Sequence, residues 1–313
     1  MTLWVKLVLM AAQTADEGAW RQTLAANPKD FPALFNLGYF YYQQGRLGEA
    51  TPLLRRAAQV SPKDFNTRFL LGSALQKQER LEEALREWMA ALEVQPGNWK
   101  LMQVMSVEFS KGRYFQEAAE VALRALALQP EAETLYYLAI KALQDSGQHD
   151  NAFDLAGKAM QLFPGSARAN FEYAYHLHKV GRLSEAEGPL RKAIEADASY
   201  EEPYFLLGDV LFRKGELEQA IEQLEKGLAL RGDHTPARLT LGRIRMNLGK
   251  LDEAAAVLEK AARMDPKNHQ PMLLLSQVYF RMGLENKARA AKEVSEKLRA
   301  EDRGGVGYRV FLR

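Results

Sequence analysis

The alternation of apolar and polar positions predicts two amphipathic helices in quick succession, Phe31 to Gln44 and Leu47 to Val60, joined at Gly45. The pair then recurs. Alanine stands at 50, 84, 118, 152, 186, 220, 254 and 288, a spacing of 34 with no insertion between copies. A second column reads Ala57, Ala91, Ala125, Ala159, Ala193, Gly227, Ala261 and Ser295, and a third Pro62, Pro96, Pro130, Pro164, Ala198, Gly232, Pro266 and Ala300. A fixed period of this kind marks a repeat architecture in which each unit leaves a face that only its neighbours can cover. The fold class that follows is all-α, a stack of antiparallel helical hairpins with 34-residue repeats.

Local chemistry agrees with that division. The slot of Gly45 also holds Gly147, Gly181, Gly215, Gly249 and Gly283, as expected where the residue closing a helix needs φ > 0, while two copies deviate with Glu79 and Arg113. The small residues let helices approach closely, and the proline cannot continue the second helix and turns the chain. Trp20 and Pro28 fall one period before Leu54 and Pro62, so residues 1–30 read as a partial repeat that caps the N-terminus, with Thr14 and Glu17 as a capping box. At the other end KEVSEKLRAEDR carries the dense charge that suits the exposed face of a terminal cap. The glycines of GGVGYR, residues 304–309, read as a hinge before the tail Tyr308 to Arg313, so residues 301–313 are set apart from the eight repeats of 31–300.

The three columns, together with Leu37-Gly38, Leu71-Gly72, Leu207-Gly208 and Leu241-Gly242, resemble the tetratricopeptide repeat family. Its 34-residue pattern has a large apolar residue at position 4, Leu-Gly at 7 and 8, an aromatic at 11, Ala at 20 and 27 and Pro at 32, counted here from Phe31, Phe65, Trp99, Glu133, Ala167, Glu201, Thr235 and His269. The resemblance implies a right-handed α-solenoid whose first helices line a concave surface through positions 2, 5, 9, 12 and 13. Departures stand at position 8, with Ser106 and Ile140, where looser helix approach is expected, and at position 11, where Arg245 is read as lying along the surface with its charge in water.

On that implied surface, Tyr41 of the Tyr39-Phe40-Tyr41-Tyr42 run is assigned to the core and Phe40 to a neighbouring copy, while Tyr39 and Tyr42 face the groove. Position 5 is almost wholly aromatic or aliphatic, with Phe35, Phe69, Tyr137, Phe171, Phe205 and Leu239 among its residues, and is either solvent-lined or half buried between first helices. The five implied groove positions hold nine cations (Lys77, Lys100, Lys111, Lys141, Arg168, Lys179, Arg213, Arg243, Arg281) against Asp145, Glu202 and Asp209. That is a net +6 in a chain whose total is +2. The candidate peptide-groove residues are therefore Phe35, Tyr39, Tyr42, Phe69, Lys77, Lys111, Lys141, Tyr175, Lys179, Arg213 and Arg243, a set suited to an extended peptide with acidic side chains. Relatives that grip a C-terminal Asp use Asn at position 9, and no copy here has one.

Composition removes several alternatives. With no Cys there is no disulfide, thiolate metal site or cysteine nucleophile. No HExxH, GxSxG or GxxxxGK[ST] motif occurs. His176 and His178, two apart on a helix, diverge and cannot chelate one metal as a pair, and His178 reads as an ordinary surface histidine. No apolar run reaches the roughly 18 residues of a spanning helix. The first fifteen residues read as a helix with Leu3, Leu7 and Met10 on one face, or as a signal peptide, so the chain is expected to be cytoplasmic, with export (periplasmic or secreted) as the alternative. The expected function is a non-enzymatic scaffold, without catalytic residues, cofactor or metal, that binds an acidic peptide or protein segment. A regulatory or recruiting subunit of an enzyme complex is the first alternative. Single-stranded RNA binding comes after it, since the near balance of charge argues against nucleic acid.

Overall fold

The computed structural model describes residues 17–310 and the side chains of residues 17–301. The expectations placed on residues 1–15, on Thr14 and on the side chains of the tail lie outside the described residues. A first helix, α1, covers residues 17–26. Eight hairpins follow: α2 Phe31–Gln43 with α3 Leu47–Val60, α4 Phe65–Gln76 with α5 Leu81–Val94, α6 Trp99–Lys111 with α7 Phe115–Leu128, and α8 Glu133–Asp145 with α9 His149–Leu162. Then come α10 Ala167–Lys179 with α11 Leu183–Ala196, α12 Glu201–Lys214 with α13 Leu217–Leu230, α14 Thr235–Asn247 with α15 Leu251–Met264, and α16 His269–Arg281 with α17 Glu285–Val310. The fold is all-α, a helical-repeat solenoid, with no strand among the described residues. Internal contacts divide it into two compact units, with the division between Ala152 and Phe153.

The helix boundaries have local causes. Asp30, Asp64, Asn98, Ser166, His234 and Asn268 precede first helices, and the side chain of each accepts a hydrogen bond from a backbone N–H of the opening turn. Between the helices of a hairpin the chain passes through the left-handed region, at Gly215 with φ 85° for example. Glu79 and Arg113 occupy the same turn with φ 61° and 65°, where a Cβ is costly.

Four hairpins close where a glycine at position 8 of the first helix meets position 24 of the second. A Cβ built on Gly72 would lie 2.5 Å from the Trp88 indole, and one on Gly208 or Gly242 would lie 2.6 Å from Leu224 or Leu258. The indole is held there by a hydrogen bond from its Nε1 to the Phe69 carbonyl, at 3.1 Å. The expected loosening at Ser106 is not found. Ser106 is fully buried and donates to the Ala118 carbonyl at 2.9 Å, and position 24 of that copy shrinks to Ala122, also fully buried. The fourth copy carries the same exchange in sequence, Ile140 with Ala156, and both side chains are buried. In both copies a larger residue at position 8 goes with a smaller one at position 24.

Position 11 corrects a second expectation. Arg245 does not lie in water: its side chain is only 16% exposed and is gripped by Glu225 at 2.5 Å and Glu253 at 3.3 Å. The tyrosines at this position behave alike, since Tyr41 donates its hydroxyl to Glu17 and Tyr279 donates to Glu259. Where position 11 is polar, at Tyr41, Arg245 and Tyr279, the side chain's tip is thus bonded to a carboxylate, while the other copies place Leu or Phe there.

At the C-terminal end α17 has 26 residues where α15 has 14, and it continues unbroken to Val310. The glycines of residues 304–307 thus lie within the helix instead of forming a hinge. The columns at positions 17, 21 and 24, which read Leu217, Ile221, Leu224 and Leu251, Ala255, Leu258 in the two hairpins before, become Glu285, Arg289 and Lys292. Those charges solvate a face that in every earlier hairpin would be covered.

Two outcomes follow from this packing. Glu79→Gly and Arg113→Gly should each raise the free energy of unfolding in urea by about 1 kcal/mol, and no change would mean the turns are not strained. Gly72→Ala should cost about 1–3 kcal/mol and Trp88→Ala about 3–5 kcal/mol. The double variant should lose less than the sum by about 1 kcal/mol, whereas strict additivity would show that the two positions do not share one space.

Candidate binding surface

In the unit that begins at Phe153, α10, α12 and α14 are neighbours, and their side chains enclose a cleft of about 260 Å³. Phe171, Tyr175 and His178 come from α10, Phe205, Leu206 and Asp209 from α12, and His234 and Thr240 from the start and middle of α14. The spacing of i, i+4 and i+7 puts the α10 set on one helix face, and i, i+4 does the same for Phe205 and Asp209. Most of the wall is apolar or aromatic, and Phe171 meets Tyr200 edge to face at 5.4 Å.

Asp209 is the centre of the bonded polar groups in the cleft, while His178 Nδ1 is buried without a hydrogen-bond partner. Asp209 lies 2.7 Å from His178 Nε2 and 3.0 Å from Arg213 Nε. The hydrogen bond from His178 and the nearby arginines Arg213 and Arg243 hold the Asp209 carboxyl below the usual carboxylate range. His178 is thus not an ordinary surface histidine, since its side chain is 15% exposed. His234 stacks on Phe205 at 4.0 Å, nearly parallel, and its Nδ1 accepts the N–H of Ala237 at 3.1 Å. Burial, reinforced by the Arg231 charge, pushes its pKa down and favours the neutral ring that this cap requires.

Of the sequence-derived candidates in this unit, Tyr175 is half-buried and lines the cleft, while Lys179, Arg213 and Arg243 are exposed. Lys179 Nζ sits 5.5 Å from the Tyr175 ring centre. In the other unit, Phe35 is half-buried and stacks between Phe31 and Tyr39 along one face of α2, at 6.2 and 6.3 Å. Tyr39 is exposed, and so is Phe69, which stacks on Phe65 along α4. Tyr42 lies under Lys77, with the ammonium 4.3 Å from the ring centre, and Phe40 packs edge-on against Trp20. Position 5 is not uniformly solvent-lined, because Tyr137, Phe205 and Leu239 are buried.

The charge of the implied groove is smaller than the five-position count gives. Lys111 is paired with Glu108 at 2.7 Å and Arg168 lies 3.6 Å from Glu172, while Lys141 and Arg213 pair with Asp145 and Asp209, which the count already includes. Glu108 and Glu172 sit at positions outside the five, but both were within reach of a simple rule, since each is three or four residues from its cation on one helix. Among the described residues no group of His, Asp and Glu could hold a metal ion, and no helix is long and apolar enough to cross a membrane.

Sequence models of the tetratricopeptide repeat match residues 17–65, 143–205 and 248–293, and a model of subunit 3 of the anaphase-promoting complex (cyclosome) matches residues 190–261. Together the matches cover more than half of the chain. The chain belongs to the tetratricopeptide repeat family. In fold it is similar to the APC/C hetero-tetramer Cut9-Hcn1, at 14% identity over 88% of this chain and 55% of that one, with a TM-score of 0.58. It is also similar to the MamA protein, at 21% identity over 56% of this chain and 96% of that one, with a TM-score of 0.50. YrrB, described as a TPR protein with an unusual peptide-binding site, is 22% identical over 59% of this chain and 95% of that one, with a TM-score of 0.48. No curated protein sequence matches the chain.

Within this tetratricopeptide repeat protein, His234 gives the cleft a pH dependence. Its depressed pKa means that the stabilisation is fully present above the unfolded value of about 6.5 and is lost as pH falls through the lower folded value. His234→Asn keeps a capping side chain without the titration, so it should flatten part of the decline in unfolding free energy between pH 7.5 and 5.5. An unchanged slope in urea titrations at those pH values would exclude His234 as its source.

Proposed function

We propose that the protein is a non-enzymatic interaction scaffold that holds an extended segment of another protein along its first helices. The cleft between α10, α12 and α14 is the main anchor point. One observation carries this reading: an aromatic recess large enough for a side chain includes Asp209, near which Arg213 and Arg243 lie, and Tyr175, whose ring Lys179 overlies. Arg213 already serves Asp209, so Lys179 and Arg243 are the cations best placed to receive a ligand's carboxylates. The reading is an apolar side chain seated against Phe171, Tyr175 and His178, with acidic residues beside it in the ligand.

The two units contribute differently in this view. The Phe31, Phe35, Tyr39 ladder offers ring surface with little bonded polarity, suited to apolar side chains of a ligand. Lys111 and Lys141, which answer to Glu108 and Asp145 on their own helices, are left as positioning charges at most.

Selection from a library of random peptides displayed on phage tests the proposal. Sequences enriched on the wild-type protein should combine an aromatic or large aliphatic residue with nearby Asp or Glu. Their affinity should fall roughly tenfold or more for Lys179→Glu with Arg243→Glu, and for Tyr175→Ala, with little change for Lys141→Glu. Enrichment of basic peptides, or affinity indifferent to the first two variants, would overturn it.

A further inference from the structure

The last hairpin leaves open a slot that its predecessor fills. Between α16 and α17 lies a cavity of about 700 Å³ walled by Phe280, Arg281, Glu285, Ala288, Arg289 and Lys292. One repeat earlier the corresponding side of α14 and α15 is covered by α16, whose Leu274, Leu275 and Val278 join Leu239, Met246, Ala254 and Leu258 in one buried cluster. Moving each residue forward by 34 gives the surface of the open slot. Leu239, 5% exposed, corresponds to Leu273 at 39%, and Met246, at 8%, corresponds to Phe280 at 71%. Ala254 corresponds to Ala288, which stays small, so a helix could come as close here as α16 does to α15.

What changes is the charge. Ala255 and Leu258 give way to Arg289 and Lys292, and with Arg281 they outnumber Glu285. Their existing partners are weak: Lys292 is 3.9 Å from Glu296 with both side chains 67% exposed, Arg281 donates to the Met246 carbonyl, and Arg289 has no ion pair among the described residues. Among the described residues no segment turns back into the slot, and α17 runs on as one helix to Val310.

We propose that this slot takes an amphipathic α-helix of a partner protein, apolar on the face that meets Leu273 and Phe280 and acidic along the flank that meets Arg289 and Lys292. The partner's helix occupies the place that the first helix of a further repeat would take. It is thereby a helix-in-groove site, separate from the extended-segment surface of α10, α12 and α14.

The probes are two fluorescein-labelled synthetic helices of about five turns, roughly 18 residues, with the same leucine face, flanked in one by Glu and in the other by Lys. Fluorescence anisotropy on the full chain should show the Glu helix binding at least roughly tenfold more tightly than the Lys helix. Phe280→Ser should weaken both. Arg289→Glu with Lys292→Glu should reverse the preference, an outcome that misfolding cannot produce. Equal affinity of the two helices, indifference to these substitutions, or loss of binding with Arg243→Glu instead would overturn the proposal. So would sedimentation showing a dimer that Phe280→Ser converts to monomer, which would make a second copy the occupant. So would tighter helix binding after removal of residues 302–313, which would make the chain's own end the occupant.

Discussion

Close approach of two helices at one level, position 8 of the first against position 24 of the second, is the constraint on which the rest of the molecule depends. Where Trp88 or Leu224 reaches over a glycine, there is no room for even one methyl group, and the pair fixes how far apart the helix axes lie. Once that distance is set, the first helices of successive hairpins within a unit become direct neighbours, as α10, α12 and α14 are. Their outward residues then share one surface. A binding face made in this way is preformed, so the ordering cost of association falls on the ligand.

Electrostatics then decides which parts of that face remain open to a ligand. An exposed cation with a carboxylate one turn away gains little from its pairing, but the pairing also removes the bare charge that would attract an acidic partner. Lys111, Lys141 and Arg213 are in that situation, whereas Lys179 and Lys77 rest over tyrosine rings. A ring contact leaves the ammonium donors free to bond elsewhere, so cations above Tyr175 and Tyr42 combine positive charge with open hydrogen-bonding capacity. Affinity on such a surface should come mainly from aromatic burial, with the cations setting the register and sign of the ligand.

The repeat, its hairpins and the turn glycines were legible in the sequence because each is a local rule repeated at a fixed spacing. The site was legible only in part. Assigning residues to a face by position placed Tyr39, Tyr175 and Lys179 where they could be reached, yet it overlooked Glu108 and Glu172, whose side chains cross from adjacent positions to meet Lys111 and Arg168. It also misjudged Arg245 and His178, whose burial depends on acids contributed by other helices, Glu225 and Glu253 in one case and Asp209 in the other. Long-range partners of this kind leave no mark on a helical period. Arg238 shows the converse: it is 4% exposed with Nη1 lacking a hydrogen-bond partner, while Arg68, at the same position in the second copy, has Glu87, and the residue matching Glu87 is Val257.

On the two proposals, the terminal hairpin adds a second kind of recognition to one scaffold. Within the second unit, α14 supplies His234 and Thr240 to the cleft on one side and Leu239 and Met246 to the cluster under α16 on the other. The cleft residues Phe205, Leu224 and Ala237 belong to the adjoining cluster that also holds Leu241, so α14 joins the two clusters. A cavity in the cluster under α16 would shift α14 and α16 together, because close-packed interiors transmit volume changes to their neighbours instead of absorbing them. The proposed extended-segment surface and the proposed helix slot thus differ in ligand chemistry but are linked through α14. Communication between them, if a ligand at one site tightens that cluster, needs no mobile loop or long pathway, only the packing of Leu258 against the helices on either side.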